Sequence, residues 1–242
     1  MQNTPFVLVH GAFQSAGTWD LVTPRLQAGG CRAITATLTG LGTDAGALSD
    51  AVALDTHIRD VAAMLEREDL HNVVVVGHSY AGMIITGVAE HARARIARLV
   101  YVDAFVPEHG QSAMQLLPPN VRDAFRKLAD PDLSWRLHPT DHLLDLWALE
   151  DGPARDLVKA RLCDFTIRCF EQPLEAPSHA AATLARTFIA GARQGCPAKV
   201  VFDPFAARAQ REGWPYHELP TGHDPHAEMP DEVSELLLRA AM

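Results

Sequence analysis

The chain has 242 residues, 48% of them hydrophobic and 21% charged, with a net charge of −9 and scattered Lys and Arg residues. This is the composition of a soluble globular domain, or of one domain carrying an insertion. The acidic balance excludes nucleic acid and anionic membrane as partners, since both need a basic face.

The opening stretch "MQNTPFVLVHG" has no basic run ahead of its apolar residues, and those are too few to cross a bilayer. Neither a secretory signal nor a membrane span is expected. Within that stretch "PFVLVH" (5–10) predicts a first strand, and "CRAITATL" (31–38) a second. Leu54, Ile58, Val61, Ala62 and Leu65 recur at helical spacing and predict an amphipathic helix over 53–68. "NVVVVG" (72–77) is the next strand, followed by a helix over 80–95 bearing Met83, Ile84, Ile85 and Val88; "RLVYVD" (98–103) is the fourth strand.

The rhythm then breaks. Residues 107–179 show no convincing strand, but they carry prolines and helical fragments bearing Phe125, Leu128, Trp135, Leu143, Leu144, Trp147 and Phe165. They read as an inserted helical cap, whose alternative is a helical crossover packed as ordinary core. "AKVVFD" (198–203) predicts the next strand, 215–219 a short one, and Pro230-Asp231-Glu232 the first turn of a last helix. Strands at 31–38, 72–77 and 98–103 are apolar on both faces, as in a sheet covered on both sides. Alternating strand and helix at these lengths mean an α/β fold with a doubly wound, mostly parallel sheet. The core is expected over 1–106 and 180–242, with 107–179 as the cap.

Gly77-His78-Ser79-Tyr80-Ala81-Gly82 fits G-x-S-x-G at a strand-to-helix turn, the context that motif requires. So tight a turn leaves no room for a side chain at 77 or 82 and lifts the Ser79 hydroxyl above the sheet. A hydroxyl needs a base. His223, in the Gly-containing loop of "LPTGHDPHAEMPDEV", comes last in the chain, as bases of such folds do; His226 is its close competitor. Oxyanion donors are expected from the backbone N–H groups of Ala12, in "VLVHGAF", and of Tyr80. His10 then shapes the loop.

"FVLVHGAF", "GHSYAG" and "TGHD" together resemble the α/β-hydrolase superfamily, within it the branch of plant methylesterases, hydroxynitrile lyases and bacterial esterases. The resemblance implies an α/β-hydrolase fold with an inserted helical cap, Ser79 as nucleophile, His223 as base and the Ala12 and Tyr80 amides as oxyanion hole. It departs at the triad acid, which the relatives carry in a loop after the next-to-last strand. Here the only acid in that place is Asp203, and Asp203-Pro204 also reads as a helix N-cap followed by its first residue. Asp103, at the end of "RLVYVD", is where other members put the acid, and is the expected partner of His223.

The expected activity is hydrolysis of a small carboxylic ester, a methyl ester, carbamate or lactone, through an acyl-serine. A hydroxynitrile lyase is the first alternative. Those relatives carry Thr at Gly11 and Lys after the histidine, where this chain has Asp224, an anion. A non-catalytic ligand receptor on the same fold is the second. Phe13 and Tyr80 are expected to touch substrate, with Trp135, Trp147, Phe125, Met114 and Leu116 giving the pocket an apolar character. Cys31, Cys163, Cys169 and Cys196 form no CxxC pair and no metal-ligand spacing, so they read as reduced thiols of a cytoplasmic protein. No motif for a metal or cofactor is present, and nothing in the sequence sets an oligomeric state.

Overall fold

The computed structural model describes residues 4–129 and 131–241. Six strands form one parallel sheet in the order β2-β1-β3-β4-β7-β8. They are β1 Phe6–Val9, β2 Ala33–Thr35, β3 Val73–His78, β4 Ile96–Val102, β7 Ala185–Gly191 and β8 Tyr216–Leu219. Two further two-residue strands, β5 Arg136–Leu137 and β6 Phe165–Thr166, pair antiparallel outside that sheet.

The strand period of two sends alternate residues to opposite faces, and each face meets its own core. Val7, Val9, Val73, Val75, Leu99 and Phe188 join one cluster, Phe6, Leu8, Val74, Val76, Val100 and Ile189 the other. Helices α1 (Thr23–Ala28) and α11 (Pro230–Ala240) cover the second face through Leu26, Val233 and Leu237. The first face is covered by α2 (Leu54–Arg67), α3 (Ala81–Ala92) and α9 (Lys199–Arg211). β3 is buried along its whole length, which is why four consecutive valines suit it.

Between β4 and β7 lie α4 (Ala113–Leu116), α5 (Pro119–Arg126), α6 (Asp141–Leu146), α7 (Pro153–Lys159) and α8 (Arg168–Glu171). The β5–β6 ribbon in this segment corrects the expectation of no strand there; pairs two residues long are below what alternation can reveal. The short α10 (Pro225–Glu228) precedes α11.

The largest correction concerns "AKVVFD". It is the start of α9, and the strand beside β4 is "ARTFIAG" at 185–191. The Val200-Val201-Phe202 run mimics a strand, but Val201, Phe202, Phe205, Ala206 and Ala209 bury at helical spacing. Asp203 is therefore no N-cap. It sits inside the helix, exposed, and takes a hydrogen bond from Lys199 one turn back. The expected helix over 80–95 ends earlier, at Ala92, and continues as a 3-10 turn over Arg93–Arg95.

Gly82 is where α3 passes the chain leaving β4. A Cβ there would run into the backbone carbonyl of Phe105, well inside contact distance. Since backbone must shift to admit it, Gly82→Ala is expected to cost about 3 kcal/mol, the upper range for overpacking. Urea unfolding at constant m-value measures that loss directly.

Candidate active site

Ser79 follows β3 immediately and adopts φ +56, a left-handed conformation that costs a non-glycine residue about 1–3 kcal/mol. Its neighbours hold it there. Its N–H donates to the Val102 carbonyl at 3.2 Å, and its own carbonyl accepts from Gly82 at 3.1 Å and Phe105 at 3.2 Å. Gly77 is required because a Cβ on it would meet the Ala81 carbonyl at 2.8 Å. The bend thus has two glycine clearances and three backbone bonds behind it.

Asp103 ends β4 in the same manner, at φ +42, with its N–H bonded to the Ile189 carbonyl at 2.7 Å. His223 lies in the loop after β8. Its N–H donates to the Trp147 carbonyl at 2.9 Å, and its carbonyl accepts from His78 Nε2 at 2.8 Å. Phe202 stacks on its ring with centroids 4.3 Å apart and planes 16° from parallel.

These placements bring three side chains into one row. His223 Nε2 is 2.8 Å from Ser79 Oγ, and His223 Nδ1 is 2.6 Å from Asp103 Oδ2. The other carboxylate oxygen, Oδ1, accepts from the Gly191 N–H at 3.2 Å. If the serine hydroxyl donates to Nε2, the ring proton must sit on Nδ1, and Asp103 accepts on both oxygens. That arrangement is complete only with His223 neutral and Asp103 ionised. Burial lowers His223 below the ordinary imidazole value and so keeps it neutral. Burial raises the Asp103 carboxyl, and the Gly191 N–H opposes that rise.

The competitors stand elsewhere. His226 is buried behind the row, its ring against Trp19 at 4.3 Å and His78 at 4.5 Å. Asp203 is on the outer face of α9, as described.

Ala12 lines the cavity beside Ser79, and Tyr80 is the residue at which α3 begins. Among the described residues neither N–H is bonded to a backbone carbonyl. The Tyr80 side chain corrects an expectation: it does not line the cavity. It turns into the core, with its hydroxyl 3.2 Å from His57 Nδ1 and its ring stacked on Phe170. Phe13, at φ +62, does face the cavity.

The cavity above Ser79 has a volume of about 230 Å³. Its Phe and Trp rings are Phe13, Phe105, Phe125, Trp147, Phe170 and Phe202, with His142 beside them, and no Asp, Glu, Lys or Arg among the described residues lines it. Phe125 and Trp147 are therefore where the apolar reading put them, whereas Met114, Leu116 and Trp135 are not on its wall. They pack with the core of the first sheet face. Phe105, Phe170 and Phe202 went unread. Only Phe105, two residues beyond a strand-end acid, had a local signal.

His78, Asp224 and His226 bring three possible metal donors within 4.8 Å of one another, all buried. Asp224 is bound by Gln14 Nε2 at 2.6 Å. No helix among the described residues is long and apolar enough to cross a membrane.

A sequence model of the alpha/beta hydrolase family matches residues 6–236. The carbendazim hydrolyzing esterase of Nocardioides sp. is 36% identical over 247 residues, covering 96% of this chain and 97% of its own length. Methylesterase 8 of Arabidopsis thaliana is 29% identical over 171 residues, 66% of this chain and 61% of its own. Among solved structures, an extracellular alpha/beta-hydrolase from a Paenibacillus species superimposes with a TM-score of 0.84 over 98% of both chains, at 22% identity.

Proposed function

The chain belongs to the α/β-hydrolase family, and from that premise we propose that it cleaves carboxylic esters with Ser79 as nucleophile, His223 as base and Asp103 as the acid that orients it. The observation that carries this reading is the unbroken row from Ser79 Oγ through His223 to Asp103, at 2.8 and 2.6 Å. Its likeness to a carbendazim hydrolyzing esterase over nearly the whole of both chains supports ester hydrolysis as the activity.

His223 Nε2 takes the hydroxyl proton as Ser79 Oγ attacks the carbonyl carbon. The imidazolium so formed is stabilised by Asp103, and the negative charge on the former carbonyl oxygen falls to the Ala12 and Tyr80 amides. Each such donor contributes about 2.7–4 kcal/mol to the transition state. His223 then returns the proton to the leaving alcohol, and water repeats the sequence on the acyl-serine.

The wall of the cavity narrows the substrate. With six Phe and Trp rings, the imidazoles of His142 and His223 and no carboxylate, ammonium or guanidinium among the described residues, it favours an uncharged ester, carbamate or lactone carrying a compact aromatic or cyclic group. Residues 107–179 supply Phe125, Leu143, Trp147 and Phe170 to that wall, which supports their role as a cap that sets specificity. A lyase reading has less support: Asp224 follows His223, does not line the cavity, and offers no cation to hold cyanide. The four free thiols support a reducing, cytoplasmic setting.

A fluorophosphonate probe tests the central assignment. Stoichiometric labelling at Ser79, with parallel loss of aryl-ester hydrolysis, is expected. Labelling elsewhere, or hydrolysis that survives complete labelling of Ser79, would overturn it.

A further inference from the structure

Behind the reactive row lies a group of polar residues that the reaction as described does not use. Gln14 and Asp224 are both buried, at 1% and 0% exposure, and Gln14 Nε2 donates to Asp224 Oδ1 at 2.6 Å across 210 residues of sequence. Around them sit His10, His78 and His226, also fully buried.

The sequence suggests an ordinary use for Asp224. It precedes Pro225 at the start of α10, as an N-cap precedes a first-turn proline. Yet its side chain makes no capping bond. It points inward to Gln14. An ionisable group buried to make a single bond costs more than an apolar pair of the same size, so the bond calls for a role beyond packing.

That role follows from what the two residues are attached to. Gln14 ends the loop that carries Ala12 and the strained Phe13. Asp224 adjoins His223. Other bonds hold each loop from outside: the Cys163 N–H donates to the Phe13 carbonyl at 2.8 Å, and the Trp147 carbonyl accepts from the His223 N–H. Both of those partners belong to the segment between β4 and β7. Among the described residues, the Gln14–Asp224 bond is the one side-chain bond that links the two loops directly to each other.

We propose that Gln14 and Asp224 are positioning residues whose buried hydrogen bond fixes the oxyanion-donating loop in register with the loop carrying the base; this rests on the assignment of Ser79, His223 and the Ala12 amide above. The bond acts through geometry. An amide donor displaced by a fraction of an ångström still lets substrate enter an unchanged apolar cavity, but it meets the developing oxyanion poorly. The loss therefore falls on turnover and not on binding.

Removing only one partner would strand the other in the interior, whereas replacing both by apolar groups of similar shape is close to neutral for folding. The decisive variant is therefore the pair Gln14→Met with Asp224→Leu, assayed on p-nitrophenyl acetate. Its kcat is expected to fall about tenfold, a part of the ~10²-fold that a full ångström of misplacement costs. KM should stay within about twofold, and the thermal midpoint close to wild type. Asp224→Asn alone, which keeps the acceptor oxygen, should retain kcat within about threefold. Turnover by the double variant within twofold of wild type would refute the proposal. So would a loss confined to KM, or an Asp224→Asn variant as damaged as the pair. Should the pair not fold, Gln14→Asn, which keeps a polar partner for Asp224 but shortens its reach, takes its place, with the same split of kcat from KM expected and turnover within twofold of wild type refuting the proposal. Fluorophosphonate labelling of the wild type comes first: failure of the Ser79 assignment shows there, and failure of the positioning role shows only in the variants.

Discussion

Ser79→Ala is expected to lower kcat on a small aryl ester by about 10⁵- to 10⁶-fold, with the protein still folded. The size of the effect follows from the geometry. The hydroxyl lies 2.8 Å from His223 Nε2, and without it the base has no proton to take and the acyl group no place to go. What survives is the contribution of the cavity and of the oxyanion donors, about 10³-fold over water in comparable sites. Relief of the positive φ at residue 79 should not rescue anything, because alanine is disfavoured there as much as serine is. Turnover by the variant within a hundredfold of wild type would mean that another nucleophile does the work.

Asp103→Asn should cost about 10⁴ in kcat, while Asp203→Asn leaves it unchanged. The amide is nearly isosteric, and its N–H can donate to His223 Nδ1. That single exchange moves the ring proton to Nε2, where it faces the serine hydroxyl and blocks it. The partner of His223 would also no longer offset the charge on the imidazolium. Asp203, exposed on α9 and engaged with Lys199, has no path to the base. The wild-type pH profile has a definite sign. Burial depresses His223, so the neutral, active form persists below the ordinary imidazole value of 6.5 and is lost as pH falls through the lower folded value. An ascending limb of kcat/KM lying below pH 6.5 is the expected signature. A limb above it would instead report ionisation of the Asp103 carboxyl, which burial raises, as the step that completes the row.

Much of the site was legible because its signals are local. Gly77, Ser79 and Gly82 specify a bend between two elements whose types the valine run and the following aliphatic helix already declare. Asp103 could be read because a strand that is apolar to its last residue and then ends in an acid has no packing reason to do so. The sheet was harder at its later strands. Val200 and Val201 favour a strand by propensity, and only the burial of Phe205, Ala206 and Ala209 on one face decides for a helix. "ARTFIAG" offers a weaker pattern but pairs with β4 along its length. The cavity wall could not be read at all from spacing. Phe170 and Phe202 come from α8 and α9, far apart in the chain, and their sharing of one wall with Ser79 is a property of the folded chain. The inward turn of Asp224 was hidden for the same reason, since its neighbour Pro225 supplies a sufficient local explanation.

The Trp147 carbonyl that accepts the N–H of His223 gives the roof over the cavity a fixed edge and a free one. Gly222 reinforces the fixed edge, for a Cβ on it would collide with that same carbonyl. Lifting the roof there would let go of the base. Elsewhere on the wall, α5 contributes Asn120, Val121, Ala124 and Phe125 and has none of its own residues fully buried. Substitutions on α5 can therefore reshape the chamber while the base keeps its anchor.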